Sequence, residues 1–295
     1  MNILILGAEG QLGKSFEKVS SEFNFNFYFK NKSQINIIDP DISSFDEIDF
    51  IINCAAYTDV DGAELDEQLA FQINYESIKK LSEISNESGA PLIHFSTDYL
   101  YDGNATKPIS ENIHPNPLNV YGKSKLAGER ALSSSCKNFL ILRTSWVFSE
   151  FGKNFLKKIV SIGLKNEEIK VINDQMGSPT YAPDISLAVL NFINQNKSKS
   201  FGQNLYNFSG NSAITWYQFA LMIKKEAEDM NFTFSSVSPV KTKEFVQYNA
   251  AQRPGYSVLD NEKILKDYDI VPSDVEKGIK NSLMNYLPLN KNDFK

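Results

Sequence analysis

Tyr121 and Lys125 stand four residues apart in the stretch Tyr121-Gly122-Lys123-Ser124-Lys125. On a helix an i, i+4 pair shares one face, so the phenol and the ammonium would point at one spot. A free phenol, with a pKa of about 10, is a poor acid–base group near neutral pH. A neighbouring ammonium favours phenolate and is expected to bring Tyr121 toward the working pH; lowering the pKa by about 3 takes roughly 4 kcal/mol. Taken alone, Tyr-x-x-x-Lys is common, and an exposed helix pair is its plain alternative. Upstream, His94-Phe95-Ser96-Thr97-Asp98-Tyr99 reads as a strand that ends in hydroxyls. Ligands of open α/β sheets bind at the carboxyl ends of strands, so Thr97 is expected to face the same crevice.

A glycine loop supplies the second piece of chemistry. Gly7-Ala8-Glu9-Gly10-Gln11-Leu12-Gly13 follows a strand-like run, Asn2 to Leu6, and opens a helix. Gly7 permits a tight turn, Gly10 lets a pyrophosphate approach the backbone, and Gly13 allows close packing of helix on strand. The helix N-terminus offers free N–H groups to phosphate. The overlapping run Ala8 to Ser15 nearly reads as a Walker A loop, with Ala8 in place of its first glycine. Against ATP or GTP binding, the strand Asp49 to Ile52 ends in Asn53 rather than in a metal-holding aspartate. A dinucleotide is the better reading. Its second strand ends at Phe29-Lys30-Asn31-Lys32, and a cationic tip suits a 2′-phosphate, so NADPH is favoured with NADH possible. Asp41-Ile42 is the expected neighbour of the adenine, and Cys54-Ala55-Ala56 are small enough for the cofactor to lie over the strand end.

These groups need elements to position them. Strands are predicted at 2–6, 25–29, 49–53, 91–95 and 139–143, with helices at 11–20, 65–88 and 121–135. That alternation implies a Rossmann-type, doubly wound parallel α/β sheet. The span from Asp41 to Ile48 is too short for a crossover helix and is expected to be a loop. Glycine, proline and asparagine are frequent between 149 and 183. Further helices are predicted at 184–194, 216–229 and 273–286, with a strand at 205–208. Residues 1–148 are expected to form an NAD(P)-binding domain to which segments near 171–195 and 205–210 return. Residues 149–295 would be mainly a smaller α/β substrate-binding region packed as one body with it.

Composition narrows the class. With 295 residues, 42% hydrophobic and 22% charged, the chain can bury a substantial core. A net charge of −6 argues against a nucleic-acid partner but not against a small anion held locally. Two cysteines, Cys54 and Cys136, make no disulfide framework, and two histidines, His94 and His114, leave no recognisable zinc spacing. No G-x-S-x-G elbow accompanies either histidine. No apolar run reaches membrane-spanning length, and no basic leader precedes the first strand, so a cytoplasmic protein without a membrane partner is expected.

Taken together, several blocks are far more specific than the glycine loop. They are Asn53-Cys-Ala-Ala-Tyr-Thr58-Asp-Val-Asp61, Ser96-Thr97-Asp98-Tyr99, Asn119-Val-Tyr-Gly-Lys-Ser-Lys125 and Arg143-Thr-Ser-Trp146-Val. Ile172-Asn-Asp-Gln-Met-Gly-Ser-Pro179-Thr, Thr215-Trp216-Tyr217 and Arg253-Pro254 continue the series. With the glycine loop they resemble the dTDP-4-dehydrorhamnose reductase family, of the extended short-chain dehydrogenase/reductase superfamily, over essentially the whole chain.

The resemblance implies NAD(P)H-dependent reduction of dTDP-4-dehydro-L-rhamnose to dTDP-L-rhamnose, for surface polysaccharide. Other readings stay open: a reductase of another nucleotide 4-keto-6-deoxy sugar, or a non-catalytic NADP-binding regulatory protein of the same fold. By position, Tyr121 would be the proton donor to the C4 oxygen. Lys125 would hold the nicotinamide ribose and tune Tyr121, and Thr97 would join their network. Gly7, Gly10, Gln11, Leu12, Gly13, Lys30, Asp41, Ile42, Ala55, Ala56, Tyr57 and Thr58 would line the cofactor. Thr97, Asp98 and Trp146 would contact the sugar nucleotide, although Trp146 could also be a core residue. Two departures stand out: Lys30 where family members often carry an acid, and Gln252 where a basic residue is common. Diphosphate binding would then rest on Arg253 or on the helix start near Asn154. A monomer or homodimer is expected; some members hold a metal at a dimer interface, and none is assigned here.

Overall fold

The structure is a computed structural model that describes residues 1–45, 47–165, 168–245 and 250–287. In chain order the first half runs β1 (Asn2–Leu6), α1 (Gln11–Val19), β2 (Asn26–Lys30), β3 (Phe50–Asn53), α2 (Val60–Leu65), α3 (Glu67–Phe71), α4 (Ser77–Ser88), β4 (Leu92–Thr97), α5 (Val120–Ser135) and β5 (Phe139–Thr144). The second half runs β6 (Val147–Phe148), α6 (Phe155–Gly163), β7 (Ile169–Ile172), β8 (Met176–Gly177), β9 (Thr180–Tyr181), α7 (Ala182–Gln195), β10 (Gln203–Asn207), β11 (Ile214–Thr215), α8 (Trp216–Asp229), β12 (Val237–Val240), α9 (Thr242–Phe245), α10 (Glu262–Tyr268) and α11 (Val275–Tyr286).

Six strands form one parallel sheet in the order β10-β5-β4-β3-β1-β2. Successive side chains of a strand point to opposite faces, and both faces are covered. Ile3, Ile5, Phe50, Ile52, Leu140 and Leu142 pack toward Phe16 of α1 and Ile185, Val189 and Phe192 of α7. Leu4, Leu6, Ile51, Leu92 and Ile141 pack toward Ile78 and Leu81 of α4 and Leu132 of α5. The chain leaves β1 for β2 on one side and for β3 on the other, so a crevice opens at the carboxyl ends of β1 and β3. Both sequence blocks, the glycine loop and Asn53–Thr58, emerge there. A second core joins α6, α8 and α11 through Leu156, Val160, Phe219, Ile223, Ile279 and Leu283.

The sequence-predicted helix 65–88 is a broken series. Asp59 accepts a hydrogen bond from Gly62 N and Asp66 one from Leu69 N, so each caps a new short helix. A π-turn over Gln72–Glu76 then places the buried Asn74 against α5, where a Cβ on Gly128 would stand 2.2 Å from Asn74 O. The described residues between 41 and 48 are irregular, and Ile42, Phe45 and Ile48 pack beneath the sheet instead of forming a crossover helix. Helix α6 is the one expected to start near Asn154, whereas α10 and the pair β7–β12 have no counterpart among the predicted elements.

Candidate active site

The glycine loop is a backbone device. Gly7 has φ +77°, and a Cβ on it would stand 2.7 Å from Ala55 N; one on Gly13 would stand 2.5 Å from Gly7 O. Gly10 caps α1 without a side-chain hydrogen bond, which leaves the first N–H groups of that helix facing the crevice. Ala8 N donates to Lys30 O at 3.1 Å and Cys54 N to Leu6 O at 3.0 Å, drawing three strand ends together. The Tyr57 backbone is clamped by Asn74, which accepts from Tyr57 N at 2.9 Å and donates to Tyr57 O at 3.0 Å. Asn74 also donates to Ser124 Oγ at 3.0 Å, tying the strip Ala55–Thr58 to the helix that carries Tyr121. This is the main signal missed in the sequence. The loop, Ala55, Ala56, Tyr57 and Thr58 therefore surround one crevice. Lys30 lies near its rim, with Nζ 5.4 Å from the centre of the Phe45 ring. Asp41 is exposed and takes up its carboxylate with Ser43 N at 2.8 Å, while Ile42 packs under the sheet.

Gln11 reaches the second half of the chain. Its amide donates to Val147 O at 3.1 Å and accepts from Asn154 Nδ2 at 2.6 Å. Asn154 caps α6 through Lys157 N at 3.1 Å and donates to Ser149 O at 2.7 Å. Its side chain thus orders the loop 149–154 against α1 at the start of α6, the place the sequence suggested for a diphosphate contact.

The expected trio meets at the end of β4. Asn119 caps α5 by accepting from Gly122 N at 2.7 Å, and a Cβ on Gly122 would stand 2.3 Å from Tyr99 O, so the helix start is pressed onto the strand end. Thr97 Oγ1 donates to Asp98 Oδ1 at 3.2 Å and accepts from Tyr99 N at 3.2 Å, close enough to the Tyr121 phenol to act on its protonation. Burial pushes Tyr121 up to about 12, the Thr97 hydrogen bond opposing and Asp98 adding to that rise. Lys125, only 2% exposed, donates to Phe95 O at 2.7 Å and lies 3.3 Å from His94 Nε2. Burial brings it down to about 8, with Glu129 pulling the other way. The ammonium does not depress the phenol, contrary to the expectation from the i, i+4 pair, because its donors turn to the β4 backbone and His94. Tyr121 is a neutral acid in the free chain.

Asp98 is 2% exposed, and burial raises it to about 7 against hydrogen bonds from Ser257 and Thr97. Its Oδ2, with Ser96 Oγ and Thr144 Oγ1, is buried without a partner. Three unpaired polar atoms at neighbouring strand ends are costly unless a ligand meets them. Arg253 arrives from the far end of the chain. Its Nη2 donates to Asp61 Oδ2 at 2.7 Å, its Nη1 to Ala251 O at 3.1 Å, and Asp61 Oδ1 accepts from Ala251 N at 3.0 Å. Asn119 Nδ2 donates to Gln252 O at 2.7 Å, so the cap of α5 also holds the 251–253 segment. Tyr99 stands edge-on to Tyr121 with ring centres 5.6 Å apart. Trp146 is one half of a stacked pair with Trp216. Arg143, from the same sequence block, is structural: it forms a buried fork with Glu129 at 2.9 and 2.7 Å.

The family model for the RmlD substrate binding domain matches residues 1–287. A dTDP-4-dehydrorhamnose reductase from Aggregatibacter actinomycetemcomitans is 34% identical, over 95% of this chain and 97% of that protein. Among solved structures, a dTDP-4-dehydrorhamnose reductase from Clostridium acetobutylicum aligns at TM-score 0.87 and 32% identity, covering 96% of this chain and 99% of that one. One from Bacillus anthracis, solved in complex with NADP, aligns at TM-score 0.84 and 33% identity, covering 96% and 98%. Matched by this family model over residues 1–287 and by these relatives over nearly its full length, the chain belongs to the dTDP-4-dehydrorhamnose reductase family.

Proposed function

We propose that this chain reduces dTDP-4-dehydro-L-rhamnose to dTDP-L-rhamnose, taking its hydride from NADPH, with NADH as a possible substitute. The observation that carries this reading is a neutral phenol, Tyr121, beside the Thr97 hydroxyl and one helical turn from the Lys125 ammonium, at the mouth of a glycine cradle.

The crevice fits a dinucleotide. Gly7, Gly10, Gln11, Leu12 and Gly13 present backbone and free N–H groups to a diphosphate. Ala55, Ala56, Tyr57 and Thr58 floor the crevice, Asp41 and Ile42 border the adenine end, and Lys30 with Lys32 meets a 2′-phosphate. The relative from Bacillus anthracis was solved with NADP, which supports the same cofactor here. When bound, the cofactor supplies the hydride for the C4 carbon.

The remaining chemistry belongs to the chain. Tyr121 donates its phenol proton to the C4 carbonyl oxygen, so that the ketone becomes an alcohol. Thr97 holds the phenol in place. Lys125, fixed by Phe95 O, holds the nicotinamide ribose. Asp98 offers its unpaired Oδ2 to a sugar hydroxyl, Trp146 contacts the sugar nucleotide, and Arg253 meets the diphosphate as a planar fork. Residues 1–148, with the returning β10 and α7, would serve the cofactor, and residues 149–295 mainly the substrate. The test is NADPH oxidation against a panel of nucleotide 4-keto-6-deoxy sugars. Turnover is expected to be fastest with dTDP-4-dehydro-L-rhamnose. NADPH binding without oxidation by any member of the panel would favour a regulatory protein of the same fold.

A further inference from the structure

The chain has two tryptophans, and they lie on each other: the ring centres of Trp146 and Trp216 are 3.4 Å apart and their planes 5° from parallel. Trp146 sits in the short connection between β5 and β6, and its φ of +46° is a left-handed conformation that a bulky side chain rarely adopts. Trp216 is the first residue of α8, where Thr215 and Gln218 close a reciprocal cap: Gln218 N donates to Thr215 Oγ1 at 3.2 Å and Thr215 N to Gln218 Oε1 at 2.8 Å. Phe155 packs against Trp216 at a tilt of 47°, ring centres 4.6 Å apart. One face of the Trp146 indole is therefore covered by a rigidly mounted ring.

The opposite face is covered too. A Cβ on Gly177 would stand 2.4 Å from Trp146 Cε2, 2.6 Å from Nε1 and 2.7 Å from Cζ2. A point in the ring plane outside Cε2 would be nearer to Nε1 than to Cε2, so Gly177 lies over the ring. It is not on the side of Trp216, whose atoms would then be its nearest neighbours. Gly177 and Trp216 belong to one unit, because Ile214 and Thr215 of β11 pair antiparallel with Gly177 and Met176 of β8. The β8–β11 pair thus grips the indole from both faces.

Resting on the reading of Trp146 as a sugar-nucleotide contact, we propose that Trp216 and Gly177 are positioning residues that hold the indole so that its rim, and not its face, meets the ligand. Only the indole N–H and the adjoining edge are then offered, and an N–H is a directional donor suited to a sugar hydroxyl. A stacked indole would accept any flat or apolar sugar face; a gripped one selects by hydrogen bonding.

Four variants test this in the full chain, with KM for dTDP-4-dehydro-L-rhamnose, KM for NADPH, kcat and circular dichroism as readouts. Wild type is expected to show the exciton couplet of a stacked indole pair. Trp216→Ala should lose the couplet and raise the sugar-nucleotide KM about tenfold, with the NADPH KM and kcat within twofold. Trp216→Phe keeps a flat support and should stay within threefold of wild type in every constant; it also keeps the proposal testable if the alanine variant misfolds. Gly177→Ala should raise the sugar-nucleotide KM about tenfold by displacing the indole. Trp146→Phe, which keeps a flat face but loses the N–H, should do the same. An unchanged sugar-nucleotide KM in Trp216→Ala or Trp146→Phe would overturn the proposal, as would a Trp216→Phe variant as impaired as a folded Trp216→Ala. An intact couplet in a wild type that turns over no nucleotide sugar would instead sink the reductase reading on which the proposal rests.

Discussion

The two edges of the crevice are built in different ways. The edge proposed to take the cofactor is made mainly of backbone: Gly7, Gly10 and Gly13 and the ends of β1, β2 and β3. The edge proposed to take the sugar is made of side-chain pairs that join distant segments. Asp61 holds Arg253, Asn119 holds Gln252, and Trp216 covers Trp146. A backbone cradle suits a cofactor whose diphosphate is always the same, whereas a side-chain lattice can be changed one residue at a time. Substrate selectivity should therefore be more sensitive to substitution than cofactor binding.

The largest separation of the two edges is expected at Tyr121. Tyr121→Phe should lower kcat by about 10²–10⁴, the usual worth of a positioned acid. The NADPH dissociation constant, read by fluorescence titration, should stay close to wild type. Turnover near the wild-type rate would remove Tyr121 from the proton transfer.

Arg253 comes next. Arg253→Ala should raise the sugar-nucleotide KM tenfold or more, because a charge-assisted contact contributes about 1.5–3 kcal/mol. NADPH binding should barely change. Equal losses for both ligands would mean that Arg253 holds the fold through Asp61 and does not serve the sugar edge alone.

The pH dependence offers a subtler division. Lys125, lowered by burial to about 8, carries its proton below that pH and loses it above. Tyr121, near 12, stays protonated throughout the working range. In initial rates, kcat/KM for reduction should fall as pH rises through about 8, since the ammonium proposed to hold the ribose is being neutralised. Lys125→Arg, if it folds, should remove that decline. A decline that persists in the arginine variant would assign it to another group.

The smallest effect belongs to the cofactor edge. Lys30→Asp combined with Lys32→Ala should weaken NADPH severalfold more than NADH, because only NADPH carries the 2′-phosphate. Equal changes for both cofactors would make the two lysines a solvated loop.

The same contrast explains what could be read in the chain before its fold was known. Strands β1 to β5 announced themselves as short apolar runs, and Gly7–Gly13 as a turn between strand and helix, because local sequence decides both. Tyr121, Lys125 and Thr97 were legible for a related reason: two share a helical face and the third ends a strand. Asp61 and Arg253 lie 192 positions apart, and no local pattern joins them. The Trp146–Trp216 stack is equally silent, since a tryptophan at a helix start reads as an ordinary core residue. Asn74 was hidden because a π-turn has no period of its own, and α2–α3 because Asp66 looks like a surface residue until it is seen to cap. The direction of the Tyr121 shift was misread for a geometric reason. Sharing a helical face brings Lys125 near the phenol, but the Phe95 carbonyl is the better acceptor for its ammonium.

The most direct measurement follows the hydride itself. Purified protein is incubated with dTDP-4-dehydro-L-rhamnose and, in turn, each of the two stereospecifically 4-deuterated forms of NADPH, and the product is analysed by NMR and mass spectrometry. One of the two forms should yield dTDP-L-rhamnose with a single deuterium on C4, in step with NADPH consumed. Unlabelled product from both, or no deoxysugar nucleotide alcohol at all, would contradict hydride transfer to C4 at this site.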